Sequence, residues 1–380
     1  MGLNRRSLFA AAGAAAAGSL VTSGEAAAAQ PQAAFKAPSA NAPLLLSFNE
    51  NPLGMSEAAR KAVADATAQS ARYPFVAAEA LRKACAEFVG GTPAQILLSH
   101  GSAEAIRASI EAYNAAGVQL VVPELTYSDG EDVARRNNIR VTKVKMADKW
   151  GVDVEGMKKA AADWHGPSIV YFVNPNNPTS RLADCRALND WIRSKPARTF
   201  FVIDEAYAEF VDDPKWVSAT TLVKEGLDNV VVLKTFSKLF AMAGMRLGFA
   251  YAHPSVVKQI RDHVAYDIMM NNCTIAAALA EVKDKAFIAR SRDENAKARA
   301  ILCKALDELK VEYLPSQTNF VFMNLRAPLK PFVDRMRAEH IWVGRPFPPA
   351  VEWCRISLGT PDEMTYFVKK LREFRTKGWV

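Results

Sequence analysis

The fold is decided by residues 229–238, which read NVVVLKTFSK. A short, continuous apolar run ends there in hydroxyl and amine side chains. Two similar runs precede it, SIVYFV at 168–173 and TFFVI at 199–203. Continuous apolar runs are typical of strands that are buried on both faces of a parallel sheet. Seven strand candidates, most of them continuous apolar runs, alternate with helical patterns up to residue 251, so the sequence predicts an α/β fold with a mostly parallel seven-stranded sheet between helices.

The regular alternation of predicted strands and helices ends at about residue 265. One long helical stretch is predicted over residues 274–308, with short strands at 319–323, 341–343 and 355–358 and a final helix at 361–376. This pattern predicts a second, smaller α+β domain. The predicted organisation is a leader (1–29), an N-terminal segment packing with the small domain (30–70), a large domain (71–265) and a small C-terminal domain (266–380).

Bulk composition restricts the functional classes. The net charge of +8 is modest for 380 residues, and the basic residues are scattered through helical stretches without interleaved aromatic residues. This favours solvated helix faces, so we expect no nucleic-acid partner. The five cysteines lie far apart and none is near a histidine at ligand spacing. We therefore expect neither a metal site nor a disulfide framework.

The first 29 residues differ in composition from the rest. Arg5 and Arg6 precede an alanine-rich apolar stretch, and the alanines at 27–29 suit a small-residue cleavage site. The stretch is too short and too weakly hydrophobic for stable membrane insertion. It resembles a twin-arginine export signal, which predicts a periplasmic location. The alternative is a disordered leader with chance arginines on a cytoplasmic protein.

Reactive side chains follow the run at 229–233. Thr235 and Ser237 bring hydroxyls, Lys238 brings an amine, and Arg246 comes eight residues later. The amine can bind an aldehyde covalently as a Schiff base, while the hydroxyls and the guanidinium suit a phosphate group.

The run at 199–203 ends in Asp204, with Tyr207 three residues further on. A carboxylate beside a pyridine nitrogen keeps it protonated and makes the ring an electron sink. A phenol at this distance can reach an oxygen on the same ring. Together with the lysine and the phosphate-binding side chains, these residues indicate pyridoxal 5'-phosphate as the cofactor. Taken alone, an aspartate at a strand end is as often a helix cap.

Three further loops follow predicted strands, where ligands of open α/β sheets bind. Ser102 opens a helix, where backbone N–H groups and the helix dipole attract phosphate, although Gly-Ser is also a common cap. Tyr127 offers a ring that can stack on a pyridine. Asn177 lies in the turn NPNNPT at 174–179 and can donate to a phenolate oxygen.

These motifs together resemble the class I and II, fold-type-I pyridoxal-phosphate aminotransferases. They are most similar to the histidinol-phosphate aminotransferase subgroup. The resemblance covers nearly the whole chain after residue 44, from NENPLG at 49–54 through RYP at 72–74 to RISLG at 355–359. Several motifs in order are far more specific than any one of them. The resemblance implies a homodimer with shared active sites that acts on an amino acid and a 2-oxo acid.

The resemblance also implies residue roles. Lys238 is the Schiff-base lysine and proton carrier, Asp204 the partner of the pyridine nitrogen, and Tyr207 a ligand of the ring oxygen. The implied cofactor-binding set is Tyr73 of the neighbouring subunit, Ser102, Ala103, Tyr127, Asn177, Asp204, Tyr207, Thr235, Ser237, Lys238 and Arg246. The implied substrate-binding set is Arg355, which clamps a carboxylate, with Asn177, Arg345 and Asn51.

Two positions depart from the family pattern. Ser180 and Ala241 stand where glycine is common. Arg345 matches a second anion-binding arginine only approximately, and a surface arginine is the alternative. His100 precedes the phosphate-loop glycine, and we expect a structural role for it because the lysine already supplies the base.

Transamination is the leading functional hypothesis. A lyase, decarboxylase or oxidase that uses the same cofactor site is the alternative, because fold-type-I sites host all of these reactions. A binding protein without activity is the third. Histidine biosynthesis is cytoplasmic, so an export signal favours an aromatic or other amino acid over histidinol phosphate as substrate.

Overall fold

After a short first strand, β1 (Leu44–Leu46), seven strands form the central sheet of this computed structural model, which describes residues 35–380. They are β2 (Ile96–Ser99), β3 (Gln119–Pro123), β4 (Arg140–Val144), β5 (Ser168–Val173), β6 (Thr199–Asp204), β7 (Val230–Thr235) and β8 (Gly248–Ala252). Their order is β2-β8-β7-β6-β5-β3-β4, and β8 runs antiparallel to both of its neighbours. The predicted mostly parallel seven-stranded sheet is confirmed.

Apart from the partly exposed edge strand β4, both faces of this sheet are buried, as the continuous apolar runs predict. In β5, Val170 and Phe172 contribute to one hydrophobic cluster, while Ile169 and Tyr171 contribute to a second cluster. The two clusters lie on opposite faces because successive side chains of a strand alternate. The carboxyl ends of β5, β6 and β7 therefore meet at one edge of a rigid, two-sided core.

Helices cover both faces of the sheet, and further helices belong to the C-terminal part of the chain. Their bounds are α1 (Glu57–Thr67), α2 (Phe75–Val89), α3 (Ser102–Ala112), α4 (Asp129–Arg136), α5 (Val154–Ala162), α6 (Cys185–Arg193), α7 (Thr220–Lys224), α8 (Pro254–Arg261), α9 (Asn272–Glu281), α10 (Lys285–Glu308), α11 (Leu329–Ala338) and α12 (Pro361–Thr376). Helices α3, α4 and α8 contribute to one face, and α2, α6 and α9 to the other.

The single helical stretch predicted at 274–308 is wrong. Two helices, α9 and α10, occupy it and are separated by residues 282–284. Asp284 accepts a hydrogen bond from the backbone N–H of Phe287 at 2.8 Å and so caps the second helix. An N-cap side chain of this kind favours a new helix start over continuation.

The last three strands are β9 (Phe320–Asn324), β10 (Ile341–Val343) and β11 (Trp353–Ser357). β9 and β11 pair antiparallel, and β10 pairs in parallel with β1, so that Leu46 lies opposite Val343. Residues of β1, β9, β10, β11, α10, α11 and α12 share a further hydrophobic cluster.

The N-terminal segment contacts two cores. β1 belongs to the C-terminal cluster, whereas α1 packs on α9 and contributes Ala59 to the core of the large sheet. The domain limits stay a prediction, and the leader at 1–29 lies outside the described residues. Between residues 35 and 380, no helix has both the length and the apolar character needed to cross a membrane.

Candidate active site

A cavity of about 600 Å³ opens at the carboxyl ends of the parallel strands. Most of the residues singled out from the sequence line it: Ser102, Ala103, Tyr127, Asn177, Asp204, Tyr207, Thr235, Ser237, Lys238, Arg246, Arg345 and Arg355. They come from strands, from loops and from the first turn of α3. The sheet topology therefore brings together side chains that are far apart in the sequence, as expected for an open α/β sheet.

Lys238 follows β7, and its amine faces the cavity. The Nζ atom donates to the backbone carbonyls of Phe48 at 3.2 Å and Asn49 at 3.1 Å. Burial disfavours the ammonium form and lowers the pKa of Lys238 to about 8, and the nearby Arg355 acts in the same direction. An amine with this pKa is well suited to act as a nucleophile and as a proton carrier near neutral pH.

Asp204 ends β6 and is almost fully buried. Its Oδ1 accepts from the backbone N–H of Ala206 at 3.1 Å, and its Oδ2 accepts from Tyr171 Oη at 3.3 Å. Burial raises the pKa of Asp204 to about 6. A buried carboxylate of this kind is stabilised by a cationic partner, which a protonated pyridine nitrogen supplies.

Tyr207 lies beside Lys238, whose Nζ is 5.7 Å from the centre of the phenol ring. Its Oη accepts from Asn49 Nδ2 at 3.1 Å and from Asn177 Nδ2 at 3.4 Å. Burial raises the pKa of Tyr207 to about 12, so the phenol stays protonated at neutral pH. It can therefore donate a hydrogen bond into the cavity.

Arg355 projects from β11 into the same cavity. Its Nη1 donates to Asn177 Oδ1 at 2.8 Å, and its Nη2 donates to the backbone carbonyl of Ser47. Its Nε is buried and has no hydrogen-bond partner within residues 35–380. A buried donor without a partner is costly, so this guanidinium fits an anionic ligand such as a carboxylate.

The start of α3 forms a cradle for an anion. Gly101 has φ +80, and a Cβ atom there would lie 2.3 Å from a guanidinium nitrogen of Arg246. Among residues 35–380, no side chain caps the N-terminus of α3, so its N–H groups remain available to a ligand. Thr235 Oγ1 and Ser237 Oγ are 3.0 Å apart beside it. Two hydroxyls, a guanidinium and a helix N-terminus fit a phosphate group.

Three predicted site residues need separate description. Arg345 lines the cavity but is exposed, with its guanidinium 4.7 Å from the ring centre of Phe347. Asn51 is not among the cavity residues, because its amide donates to Leu239 O at 2.8 Å and to Ser291 Oγ at 2.6 Å. Tyr73 is also outside the cavity and is 73% exposed. The assigned roles of all three stay predictions.

His100 lies outside the lining of the cavity as well. Its Nδ1 is 2.9 Å from Glu104 Oε2, and its backbone N–H donates to the same carboxylate. Burial acts to raise the pKa of Glu104, but the hydrogen bonds from His100 and from the backbone of Ala265 outweigh it and lower that pKa. These contacts connect the phosphate loop with the segment after α8.

Sequence reasoning missed two residues of the site. Asn49 lines the cavity, and Tyr171 lies beneath it against Asp204. Tyr171 belongs to an unbroken apolar run, so its hydroxyl gave no signal. Asn49 stands in the NENPLG motif, which was the one available signal, but its partners are up to 308 residues away.

The two departures from glycine share one backbone feature. Ser180 has φ +60 and Ala241 has φ +54. This left-handed region costs non-glycine residues free energy, which explains why glycine is common there. The two loops keep the conformation despite the substitutions.

The family of this chain follows from its similarity to known proteins. The family model described as aminotransferase class I and II matches residues 42–371. The chain belongs to this family. The match extends from β1 to α12, and with the sheet order it makes the protein a pyridoxal-phosphate-dependent aminotransferase of fold type I.

Several relatives are similar over most of their length. The histidinol-phosphate aminotransferase of Symbiobacterium thermophilum is 33% identical over 343 residues, which are 88% of this chain and 91% of that protein. A crystal structure from Erwinia carotovora atroseptica, provisionally assigned as a histidinol-phosphate aminotransferase, has 49% identity and a TM-score of 0.90. It covers 91% of this chain and 100% of that one.

A third relative was solved with its cofactor. The histidinol-phosphate aminotransferase of Sinorhizobium meliloti, in complex with pyridoxal-5'-phosphate, is 25% identical with a TM-score of 0.79. The match covers 87% of this aminotransferase and 90% of the other chain.

Proposed function

We propose that this aminotransferase moves an amino group from an amino acid, or from histidinol phosphate, to a 2-oxo acid, with Lys238 as its covalent attachment point and proton carrier. One observation carries the proposal. The amine of Lys238, the carboxylate of Asp204 and the guanidinium of Arg355 face a single cavity. That is the set of groups needed to bind an α-amino acid and to move its Cα proton.

Pyridoxal phosphate supplies an aldehyde for the amino group and a pyridine ring that withdraws electrons. The cradle at the start of α3 would hold its phosphate through Ser102, Ala103, Thr235, Ser237 and Arg246. Asp204 would keep a proton on the ring nitrogen, Tyr207 and Asn177 would bind the ring oxygen, and Tyr127 would stack on the ring.

The amine of Lys238 would take up and return the Cα proton of the amino donor. With a pKa of about 8, roughly a tenth of the amine is unprotonated at pH 7. An ordinary lysine has fewer than about one in a thousand unprotonated at the same pH. The buried site therefore raises the supply of free base on the order of a hundredfold.

Arg355 binds the substrate carboxylate, and the lack of a partner for its Nε within residues 35–380 supports this role. Arg345 lies at the cavity mouth and supplies a second positive charge. A donor with a distal anionic group, such as the phosphate of histidinol phosphate, would use both arginines. An aromatic amino acid would use Arg355 alone and pack its ring against Phe347.

A half-reaction assay tests the chemistry. Adding a donor amino acid to the enzyme loaded with pyridoxal phosphate should give pyridoxamine absorbance and one equivalent of keto acid. Ammonia, carbon dioxide or peroxide as product would instead support the lyase, decarboxylase or oxidase alternative. Lys238→Ala should lower the rate by about 10²–10⁴.

A donor screen with matched variants tests the substrate. If the donor carries a distal anion, Arg345→Gln should raise its KM and leave kcat nearly unchanged. Arg140→Gln is the control, because Arg140 also lies over an aromatic ring, that of Trp164, but outside the cavity. Equal KM values for the two variants would contradict a role for Arg345.

The proposed enzyme is a homodimer in which Tyr73 completes the phosphate site of the partner subunit. In support, Tyr73, Val76 and Tyr266 are large apolar side chains with exposed fractions of 73%, 85% and 71%. Sedimentation should give twice the chain mass, and Tyr73→Phe should weaken pyridoxal phosphate binding without dissociating the dimer. A monomer with full affinity for the cofactor would contradict this.

The proposed location is the periplasm, reached through the twin-arginine leader at 1–29, and the alternative is the cytoplasm. Replacing Arg5 and Arg6 by lysine should retain an uncleaved protein in the cytoplasm, as cell fractionation would show. Cytoplasmic location of the unaltered protein would contradict export.

A further inference from the structure

Asn49 uses every polar atom that it has. Its backbone N–H donates to Ser357 Oγ at 2.8 Å, and Ser357 Oγ donates back to Asn49 Oδ1 at 2.8 Å. Its Nδ2 donates to Tyr207 Oη at 3.1 Å, and its carbonyl accepts from Lys238 Nζ at 3.1 Å and Asn319 Nδ2 at 2.9 Å. Only 1% of the residue is exposed. It therefore connects two groups of the active site with strand β11.

The pair formed with Ser357 orients the side chain of Asn49. Because Ser357 Oγ accepts the backbone N–H, its own proton is free to bind Oδ1. The NH₂ group of Asn49 then faces Tyr207. Its orientation is thus imposed by β11 and does not depend on Tyr207 itself.

The hydroxyl proton of Tyr207 has one direction left. Asn49 and Asn177 both donate to Tyr207 Oη, so its acceptor sites are filled by amide N–H groups. The phenol proton must therefore point to an acceptor elsewhere. The cavity that Tyr207 lines is the space available for that acceptor.

The backbone of Asn49 is also specialised. Its φ is +55, in the left-handed region that asparagine tolerates better than most residues. In this conformation the side chain reaches Tyr207 while the carbonyl reaches Lys238. A residue that prefers extended backbone would move one of these two groups away.

We infer that Asn49 is a positioning residue of this aminotransferase. Its side-chain amide turns the hydroxyl proton of Tyr207 towards the ring oxygen of the cofactor, and its carbonyl holds the amine of Lys238. The inference rests on the role proposed for Tyr207. It assigns to the NENPLG motif a function in proton placement in addition to chain folding.

The test measures the pH midpoint of the absorbance of the bound cofactor in the loaded enzyme. Two variants change the side chain: Asn49→Asp keeps its size but accepts the phenol proton, and Asn49→Gly removes it but tolerates the positive φ. Without the hydrogen bond donated by Tyr207, the ring oxygen of the cofactor would hold its proton more tightly. Both variants should raise the midpoint by about one pH unit.

Controls separate the possible causes. Asn138→Gly is the matched control, because Asn138 also has φ +55 but is exposed and outside the cavity. It should leave the midpoint unchanged. Tyr207→Phe should shift it at least as far as the Asn49 variants. Ser357→Ala, which removes the support of the amide, should give a smaller shift in the same direction and covers the case that the Asn49 variants fail to fold.

The outcomes are distinguishable. A shift with Tyr207→Phe but none with the Asn49 and Ser357 variants overturns the role of Asn49. No shift with Tyr207→Phe overturns the proposed role of Tyr207, and the inference with it. A cofactor-free melting temperature for Asn49→Gly equal to that of Asn138→Gly, together with a shifted midpoint, supports positioning over a structural effect.

Discussion

Replacing Glu281, the last residue of α9, should stabilise the protein by an amount that depends on pH. Its side chain is fully buried, and its Oε1 accepts from the backbone N–H of Ser56 at 2.7 Å. Its Oε2 has no partner within the described residues. Burial raises the pKa of Glu281 from 4.5 to about 7, against the opposing hydrogen bond from Ser56. The change to test is Glu281→Gln, which removes the charge and keeps an acceptor for Ser56.

The direction in which stability changes with pH follows from proton binding at Glu281. Between pH 4.5 and about 7 the folded protein holds a proton on Glu281 that the unfolded chain releases. The contribution of Glu281 to stability is therefore lost as the pH rises through this window. At 1.36 kcal/mol per pH unit, the variant should gain about 1 kcal/mol over the parent at pH 5 and about 3 kcal/mol at pH 8.

Urea unfolding at a fixed protein concentration, at pH 5 and at pH 8, measures both differences. Glu87→Gln is the control, since Glu87 is an exposed glutamate of α2. Its effect should be within about 0.5 kcal/mol at either pH. An advantage for Glu281→Gln that is equal at the two pH values, or a loss at pH 8, would refute the reasoning.

Three further changes test other parts of the structure. Tyr171→Phe removes a hydrogen bond that lowers the pKa of Asp204, so the acidic limb of the plot of kcat against pH should move to higher pH. Tyr251→Phe is the control, because the buried phenol of Tyr251 has no partner in residues 35–380, and it should leave the acidic limb in place. Lys234→Met removes the ammonium that lies 2.8 Å from Glu205 and 3.0 Å from Glu209, both of which are buried. It should lower the free energy of unfolding in urea by about 3–5 kcal/mol. A loss below about 1 kcal/mol would argue against the ion pairs. Ala241→Gly relieves the positive φ at that position and should stabilise the protein by up to about 1 kcal/mol, and a lower melting temperature would count against this.

Most strands could be predicted because a strand that is buried on both faces appears in the sequence as a continuous apolar run. Residues 168–173 read as one apolar run, and β5 has the same bounds. The side chains after such strands could also be predicted to meet, since the carboxyl ends of parallel strands share an edge. Lys238 and Asp204 were found in this way.

Other features depend on contacts that the sequence does not record locally. The hydrogen bonds between Asn49 and Ser357 join residues 308 apart. The hydroxyl of Tyr171 acquires a function only when β5 lies beside β6 and brings it to Asp204. The break between α9 and α10 was missed because apolar spacing continues across it, although the cap at Asp284 was visible.

The parallel pairing of β1 with β10 has a consequence for the order of events during synthesis. Leu46 is synthesised about 300 residues before its partner Val343. At roughly 5–20 residues per second, this delay is about 15–60 s. All seven strands of the central sheet have been synthesised once the chain reaches Ala252. Asn49 follows β1 by three residues and makes its side-chain hydrogen bond with Ser357 of β11, so the contacts of Asn49 are among the last to assemble. In a chain stopped before β11, the amine of Lys238 would lack this support.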